Sequence, residues 1–405
     1  MNNAFNQRML NVRLSPIVAI SEEVRKRSPQ FTKETGKPFI LFQRGEIDYP
    51  TPKFIIDAAK SALDAGHTKY PKSGGEEVLK DAILQKLMEY NKLEGLSRNN
   101  IVCTYGGQEA LQLAFTLFAG KRGAGFAPCW SCVLENFVPY SGVEFVEVPL
   151  EQDFSINVER LEAVLKNVTF FYFNSPHNPT GKVFSEEEVR TVVDLCTRHN
   201  VFVISDEAYE RIVYDGTPFF SPTSLGQKNI LGAFTFSKSF SMTGWRLGYL
   251  VACDPDIAKL ISLGDYTQTA GVVTFLQHAG KEALENTDAA NEALSAMRSD
   301  YERRRDALFT GISSIPGVEV AKPQGGFYLF PNFSQLIPDD LDKKHRSLYI
   351  WEKLMSSGVA TVYGSCFGHH FADNIRLSFS TTPLPAIKEG IDRIRKVCES
   401  GHGGS

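Results

Sequence analysis

Four stretches of the sequence place polar and charged side chains directly after a short apolar run. They are residues 105–111, 174–181, 205–209 and 237–246. Among them are an acid (Asp206), a lysine (Lys238), an arginine (Arg246) and a glycine pair (Gly106 and Gly107). A single acid or lysine in such a position is usually a cap or a solvated charge. All of these groups at one edge would instead suit a ligand with a phosphate, a basic ring nitrogen and an aldehyde.

The apolar runs that precede these stretches are typical of buried strands. Residues 169–173 and 201–204 are predicted strands, and a helix is predicted between them over residues 185–199, where Ser185 and Glu188 form a capping box. This βαβ order predicts an α/β fold with a mostly parallel sheet covered by helices on both faces. Ligands bind at the carboxyl ends of such strands, which is where the four stretches lie.

The pattern changes after about residue 290. A long polar helical stretch is followed by short alternating strands between Gly and Pro residues, which indicates a second, smaller α+β domain. We expect an N-terminal segment at residues 1–50 that joins the small domain, a large three-layer α/β/α domain at 51–290, the small domain at 291–397 and a tail at 398–405. The long helix carries Arg303, Arg304 and Arg305, which we expect on an exposed face.

Composition excludes several classes of protein. The chain has 405 residues, 43 basic and 47 acidic side chains and 42% hydrophobic residues, which excludes wholesale disorder, collagen and coiled coil. A net charge of −4 without a long basic run makes nucleic acid an unexpected partner. We expect no signal peptide and no membrane span, since no run reaches ~18 apolar residues. The seven scattered cysteines favour a cytoplasmic protein.

Three short segments occur in the order and spacing that they have in one enzyme family. They are Asn178-Pro179-Thr180-Gly181, Asp206-Glu207-Ala208-Tyr209, and Ser237-Lys238 with Gly244-Trp245-Arg246. Through them the chain resembles the class I and II aminotransferases of fold type I, related to aspartate aminotransferase, from about residue 15 to residue 397. The resemblance implies the cofactor pyridoxal 5'-phosphate and transfer of an amino group from an α-amino acid to a 2-oxo acid.

The resemblance also implies a role for each residue near the cofactor ring. Lys238 would form a Schiff base with the cofactor aldehyde and later move the substrate proton. Asp206 would keep the pyridine nitrogen protonated, which makes the ring an electron sink. Tyr209 and Asn178 would hydrogen-bond the phenolic oxygen, and Trp130 would stack on the ring.

The remaining expected contacts concern the phosphate and the substrate. The phosphate would bind backbone N–H groups, hydroxyls and a guanidinium, from Gly107, Gln108, Thr235, Ser237 and Arg246. Arg376 would bind the substrate α-carboxylate bidentately, with Gly45 and Asn178 on the same side. Tyr70 would reach the phosphate of a neighbouring subunit, which implies a homodimer with shared sites.

The sequence departs from the family pattern at several positions, so the substrate side chain stays open. These positions are Gln43, Arg44, Ile47, Val133 and Tyr363. Tyr363 and Arg44 could reshape the pocket. Besides the aminotransferase, a lyase or cyclase that acts at Cβ or Cγ with the same cofactor remains an alternative. A non-catalytic module is disfavoured because it would leave Lys238 and Arg376 unexplained.

Two motifs suggest other ligands, but neither is complete. Cys129 and Cys132 have the CxxC spacing of a metal or redox site, yet no second pair and no paired histidines accompany them. Residues 123–125 lack the third glycine and the acid of a dinucleotide-binding motif. We therefore expect neither a metal nor NAD.

Overall fold

In the computed structural model, which describes residues 5–401, the chain forms fourteen α-helices and twelve strands. The strands are β1 (Ile40–Leu41), β2 (Ile101–Thr104), β3 (Arg122–Ala127), β4 (Glu144–Pro149), β5 (Phe170–Asn174), β6 (Phe202–Asp206), β7 (Ile230–Thr235), β8 (Gly248–Ala252), β9 (Tyr328–Leu329), β10 (Val359–Ala360), β11 (Val362–Tyr363) and β12 (Ile375–Ser378). The helices are α1 (Gln7–Asn11), α2 (Pro16–Thr35), α3 (Lys53–Asp64), α4 (Glu77–Glu89), α5 (Gly106–Leu117), α6 (Val138–Ser141), α7 (Val158–Leu165), α8 (Glu186–Arg198), α9 (Phe236–Ser239), α10 (Pro255–Thr269), α11 (Thr274–Glu285), α12 (Thr287–Ser313), α13 (Lys343–Ser356) and α14 (Leu384–Gly401). Within this part of the chain, no helix is long and apolar enough to cross a membrane.

A seven-stranded sheet lies at the centre, in the order β2-β8-β7-β6-β5-β3-β4. Only β8 runs against its neighbours β2 and β7, and the other pairs are parallel. The prediction of a mostly parallel sheet is therefore confirmed. The register pairs Asn174 with Asp206, so the polar ends of β5 and β6 meet at one edge.

Helices cover both faces of this sheet. Successive side chains of each strand point to opposite faces, and apolar side chains on both faces must be buried. On β5, Phe171 and Phe173 pack into the core that contains the apolar side of α8. Phe170 and Tyr172 of the same strand pack on the opposite face, against α5. Each of these buried aromatic side chains contributes about 1.5–3 kcal/mol relative to exposure. The predicted three-layer arrangement is confirmed.

Helix α8 begins where the sequence predicts. The Ser185 hydroxyl accepts a hydrogen bond from the Glu188 N–H at 3.2 Å, and the Glu188 carboxylate accepts one from the Ser185 N–H at 2.9 Å. This capping box satisfies two N–H groups of the first turn. It fixes the connection between β5 and β6, the two strands that carry the central polar residues.

A segment near each end of the chain contributes to a second unit beside the large sheet. The short β1 pairs with β10, and β9, β11 and β12 form a three-stranded antiparallel sheet. These strands share a core with α12 and α14. Helix α14 extends to Gly401, past the domain end predicted at residue 397, and residues 402–405 lie outside the described residues.

The prediction that the three consecutive arginines are exposed is wrong for two of them. Arg304 is 8% exposed and pairs with Asp48 at 2.7 Å, whereas Arg305 is fully buried and pairs with Asp215 at 2.9 Å. A guanidinium can be buried when carboxylates and carbonyls satisfy its donors. The two pairs connect α12 to the N-terminal segment and to the loop after β6.

Candidate active site

A cavity of about 1040 Å³ opens at the carboxyl ends of β5, β6 and β7. Every site residue expected from the sequence, apart from Tyr70, lines it: Gly45, Gly107, Gln108, Trp130, Asn178, Asp206, Tyr209, Thr235, Ser237, Lys238, Arg246 and Arg376. The volume is that of a site for a cofactor together with a small substrate. Residues more than 300 positions apart in sequence thus meet in one place.

The floor of the cavity carries a buried acid, Asp206, at the end of β6. Its Oδ2 accepts a hydrogen bond from the Tyr172 hydroxyl at 2.8 Å, and its Oδ1 accepts one from the Ala208 N–H at 3.2 Å. Burial raises the pKa of Asp206 to about 6, although both hydrogen bonds oppose that rise. Within residues 5–401 no cation forms an ion pair with this carboxylate. It is therefore suited to face a cationic group of a ligand.

Lys238 lies in α9, the short helix that follows β7. Thr235 caps this helix, since its hydroxyl accepts a hydrogen bond from the Ser237 N–H at 3.1 Å. The Lys238 Nζ donates a hydrogen bond to the Gly45 carbonyl at 2.8 Å. Burial lowers the pKa of Lys238 to about 8. About a tenth of the amine is therefore uncharged at pH 7, and a nucleophile or base must be uncharged to react.

One end of the cavity is an anion cradle. Gly106 begins the twelve-residue helix α5 with a φ of +74°, and a Cβ at Gly107 would lie 3.3 Å from the Cβ of Thr235. The hydroxyls of Thr235 and Ser237 lie 2.8 Å apart at the same place. Arg246 is exposed and hydrogen-bonds backbone carbonyls only, with no acidic partner in the described part of the chain. Helix N–H groups, hydroxyls and a free guanidinium together suit a phosphate.

The opposite end holds a buried guanidinium, that of Arg376 on β12, which is 1% exposed. One of its terminal nitrogens donates to Asn178 Oδ1 at 3.2 Å, and the other donates to the Gln43 carbonyl at 3.0 Å. Its Nε is buried without a hydrogen-bond partner. No carboxylate in residues 5–401 pairs with this arginine. A buried cation in this state is suited to bind an anionic ligand.

Two tyrosines complete the site without having been singled out in the sequence. Tyr172 hydrogen-bonds Asp206, and Tyr328 shares a hydrogen bond of 3.0 Å with Tyr209 while its ring lies 4.3 Å below the Arg376 guanidinium. The pKa of Tyr209 is raised by burial. A Cβ at Gly45 would collide with the Tyr328 hydroxyl, which explains the glycine there. Nothing in the sequence marks Tyr172 as a site residue, because it lies in a run of aromatic residues that indicates only a buried strand.

Of the positions that depart from the family pattern, Gln43 contacts the site through its carbonyl, which accepts from Arg376, and the other four lie away from the cavity wall. Tyr363 packs edge-on against Trp351, with ring centroids 5.5 Å apart, and Arg44 is exposed. Neither lines the cavity. Ile47 and Val133 are buried in apolar cores.

A buried acid, a lysine of lowered pKa and an anion cradle at the ends of parallel strands define a site for a phosphorylated pyridine aldehyde. The family model for class I and II aminotransferases matches residues 37–394. The chain belongs to this family.

Individual relatives agree with that assignment. The chain is 37% identical to a probable aspartate/prephenate aminotransferase of Aquifex aeolicus, over 98% of this chain and 100% of that protein. Its fold matches the structure of aspartate aminotransferase from Thermus thermophilus with maleate, with a TM-score of 0.87, 29% identity and coverage of 97% and 99%. It also matches an aromatic aminotransferase from Pyrococcus horikoshii, with a TM-score of 0.82, 30% identity and coverage of 92% and 98%.

The chain is therefore a pyridoxal-phosphate-dependent transaminase that transfers amino groups. The site fits this cofactor, because a buried carboxylate without a cationic partner and an anion cradle lie in one cavity, with the lysine beside them. None of the relatives reported above is named a lyase or cyclase. Nothing in the site favours that alternative.

Proposed function

We propose that Lys238 carries the amine and proton chemistry of amino-group transfer from an α-amino acid to a 2-oxo acid. The observation that supports this most directly is the setting of its Nζ. The charges of Glu46, Arg376, Arg246 and Asp206 all act on it, so it lies within electrostatic reach of both ends of the cavity and of the buried acid. A group that must reach the cofactor aldehyde and the substrate Cα belongs at such a place.

The residues at the cofactor end would hold and tune the ligand. When bound, pyridoxal phosphate supplies an aldehyde that accepts an amine and a ring that withdraws electrons from the reacting carbon. Asp206 would hold a proton on the ring nitrogen, and Tyr172 would keep the carboxylate in the required orientation. Gly107, Gln108, Thr235, Ser237 and Arg246 would bind the phosphate. Trp130 would cover one face of the ring, and the Tyr209 hydroxyl and Asn178 amide would face its phenolic oxygen.

At the substrate end, Arg376 would bind the α-carboxylate through its planar fork. Asn178 accepts from one arm of this fork and the Gln43 carbonyl accepts from the other, so the guanidinium is already oriented. The carbonyl of Gly45 accepts a hydrogen bond from Lys238, and both residues line the cavity that Arg376 and Asp206 also line. A bound amino acid would thus present its Cα proton to this amine.

A test of the reaction type uses the cofactor-loaded protein with one amino acid and no 2-oxo acid. Transfer requires that each site release a single equivalent of 2-oxo acid and then stop, until an acceptor 2-oxo acid is added. Continued turnover without an acceptor would show elimination or cyclisation instead. The product is identified by mass, and the stoichiometry is read against the number of loaded sites.

We further propose a homodimer in which each site is completed by the other subunit. Tyr70 is 92% exposed and lies outside the cavity of its own chain. Leu260, Leu263 and Tyr266 follow one another on one side of α10 and are 56%, 56% and 60% exposed, and Gln268 of the same helix lines the cavity. An apolar helix face at the rim of the site supports a two-fold contact there.

The shared site is tested by mixing two defective proteins. Lys238→Ala and Tyr70→Ala chains, separately tagged and refolded together, form heterodimers that contain one site with both residues intact. Partial recovery of activity in the purified heterodimer supports the proposal. A heterodimer as inactive as its parents would place Tyr70 in its own subunit's site or outside any site.

The domain division and the cellular location are also proposals. The separate sheets support a large domain at residues 51–290 and a small one at 291–397 that includes the N-terminal segment, and apolar clusters that contain residues of both domains join them. All seven cysteines are free thiols, which supports a cytoplasmic location. The amino acid accepted is not given by the names of the relatives, which include both aspartate and aromatic aminotransferases.

A further inference from the structure

The turn that follows β6 has two sides. Asp206 and Tyr209 line the cavity, whereas Glu207 and Glu210 do not and are only 1% and 6% exposed. A buried carboxylate is costly unless it is paired, so each of these glutamates needs partners within the fold. The turn therefore carries site residues on one side and buried acids on the other.

The two glutamates are held by different parts of the chain. The Glu207 carboxylate accepts hydrogen bonds from three hydroxyls, those of Ser205, Ser221 and Thr223. These contacts tie Glu207 to β6 and to the segment before β7. Glu210 is held instead by α4, which reaches the turn from the side away from the cavity.

The end of α4 contacts both the side chain and the main chain of Glu210. The Lys86 Nζ donates to both Glu210 carboxylate oxygens at 2.6 Å, and the Asn91 amide donates to one of them at 3.0 Å. The Tyr90 hydroxyl donates to the Glu210 carbonyl at 3.0 Å. Lys86 lies in the last turn of α4, and Tyr90 and Asn91 follow the helix directly. These contacts fix residue 210 relative to the end of α4.

Aromatic side chains enclose the ion pair of Lys86 and Glu210. The Lys86 Nζ lies 4.5 Å from the ring centroid of Phe234 and 5.9 Å from that of Tyr249. The side chains of Lys86 and Glu210 are each 8% exposed. In such surroundings the loss of hydration offsets the attraction, so a buried ion pair typically stabilises a fold no better than two apolar side chains of similar size. What the pair provides instead is a fixed geometry, because each charge must stay within reach of the other.

This geometry acts on Tyr209, the residue before Glu210. Tyr209 lies past the end of β6, so the sheet does not fix it as it fixes Asp206. At the ring, the Tyr209 hydroxyl shares a hydrogen bond of 3.0 Å with Tyr328, and the ring packs edge-on against Phe327 with centroids 5.2 Å apart. At the backbone, the neighbouring Glu210 is fixed by Lys86. A displacement of residue 210 would therefore move the Tyr209 hydroxyl relative to the cavity.

We propose that Lys86 and Glu210 are positioning residues that hold the Tyr209 hydroxyl at the phenolic oxygen of the cofactor. This inference rests on the proposed function, because that function places the hydroxyl there. Neither Lys86 nor Glu210 lines the cavity, so both act through the backbone of the turn. Hydrogen bonding to an ionised oxygen lowers the pKa of its proton, so a displaced hydroxyl leaves that proton bound up to a higher pH.

The test is a pH titration of the visible absorption of the cofactor-loaded protein, with Tyr209→Phe as the reference for a lost hydroxyl. The double variant Lys86→Met/Glu210→Leu replaces the ion pair by apolar side chains of similar size. We expect it to unfold at a urea concentration no lower than wild type does. Its titration midpoint should nevertheless move to higher pH, by at least half of the shift in Tyr209→Phe. Its kcat should fall by about tenfold, with a smaller change in KM.

A second ion pair of α4 provides the matched control, Asp81→Leu/Arg98→Met. Arg98 donates two hydrogen bonds to Asp81 of this helix at 2.5 Å, but the pair is exposed and lies outside the cavity. The control should leave the titration midpoint and kcat unchanged, and a shift as large as that of the double variant would contradict the inference.

An unchanged midpoint in Lys86→Met/Glu210→Leu would overturn the inference, whether the stability of that variant rises or falls, and would leave the pair a structural role alone. If this variant does not fold, Glu210→Gln is titrated in its place, because it removes the charge and keeps the volume. The same shift to higher pH is then expected, and an unchanged midpoint refutes the inference in the same way.

Failure of this inference can be distinguished from failure of the proposed function. If Tyr209→Phe shifts the midpoint and the variants at Lys86 and Glu210 do not, only the positioning role of the ion pair is wrong. If Tyr209→Phe itself leaves the midpoint unchanged, the proposed place of Tyr209 at the cofactor is wrong, and the inference falls with it.

Discussion

Replacing Asp206 with asparagine should stabilise the cofactor-free protein near pH 8 while it disables the enzyme. Burial raises the pKa of Asp206 from 3.8 to about 6. A raised pKa means that the folded state holds this proton more tightly than the unfolded chain does, so stability is lost as pH rises through that interval. About two pKa units correspond to a penalty of about 3 kcal/mol once the group is ionised in both states.

Asparagine removes the free-energy penalty of ionising residue 206, but it also loses a hydrogen bond. It is uncharged and has a similar shape, but its amide oxygen cannot accept from both the Tyr172 hydroxyl and the Ala208 N–H as the two carboxylate oxygens do. The lost hydrogen bond costs about 1 kcal/mol. The variant should therefore be more stable by about 2 kcal/mol near pH 8. Near pH 5, where only about half of the penalty has developed, the gain should shrink to about 0.5 kcal/mol.

The assay is urea denaturation of the cofactor-free wild type and variant at the two pH values. Glu207, the residue after Asp206, also has a pKa raised by burial, to about 7. Because this carboxyl is present in both proteins, its effect cancels in the difference between their free energies of unfolding. Asp194→Asn, on the exposed face of α8, is the matched control and should show no such pH dependence. A variant that is less stable than wild type near pH 8, or a difference that does not change with pH, would refute this account of Asp206.

In the loaded enzyme, the same variant should lose at least about tenfold in transfer rate, because an amide cannot hold the proton on the ring nitrogen.

Two further substitutions probe the substrate end. Arg376→Lys should raise KM for amino acids by at least about tenfold with a smaller effect on kcat, because an ammonium group cannot make the two-point contact of a guanidinium with a carboxylate. An unchanged KM would show that Arg376 does not bind the substrate. Gly45→Ala should displace Tyr328 and weaken its hydrogen bond to Tyr209. We expect this overpacking to cost about 1–3 kcal/mol of stability and to reduce the rate of amino-group transfer. A stable, fully active Gly45→Ala protein would show that the close approach of Gly45 to Tyr328 is not needed.

Local sequence signals predict the central elements of the fold because the interactions that make them are local. The capping box of Ser185 and Glu188 spans four residues, and the continuous apolar run of β5 marks it as a strand that is buried on both faces. The polar ends of β5 and β6 could be placed together because parallel strands align their carboxyl ends. The predicted residues Asp206, Lys238 and Arg376 consequently appear in one cavity.

Long-range pairing accounts for the features that sequence reasoning did not anticipate. Arg305 is buried because Asp215 lies opposite it, 90 positions away in the chain, and nothing around residue 305 indicates that partner. Tyr172 occupies a strand of aromatic residues, so only the packing of β5 against β6 shows that its hydroxyl reaches Asp206. Tyr363 and Arg44 stood out as unusual residues near family motifs, yet neither of them lines the cavity.

The central claim is that Lys238 performs the amine and proton chemistry, and its replacement tests that claim most directly. Lys238→Ala and the control Lys166→Ala, at an exposed lysine outside the cavity, are loaded with pyridoxal phosphate, and the rate of 2-oxo acid formation from one amino acid is measured in a single turnover. Because the Lys238→Ala variant lacks both nucleophile and base, we predict a rate at least about 10²–10⁴-fold below wild type, with Lys166→Ala unaffected. A Lys238→Ala protein that forms 2-oxo acid at a rate close to that of Lys166→Ala would contradict the account.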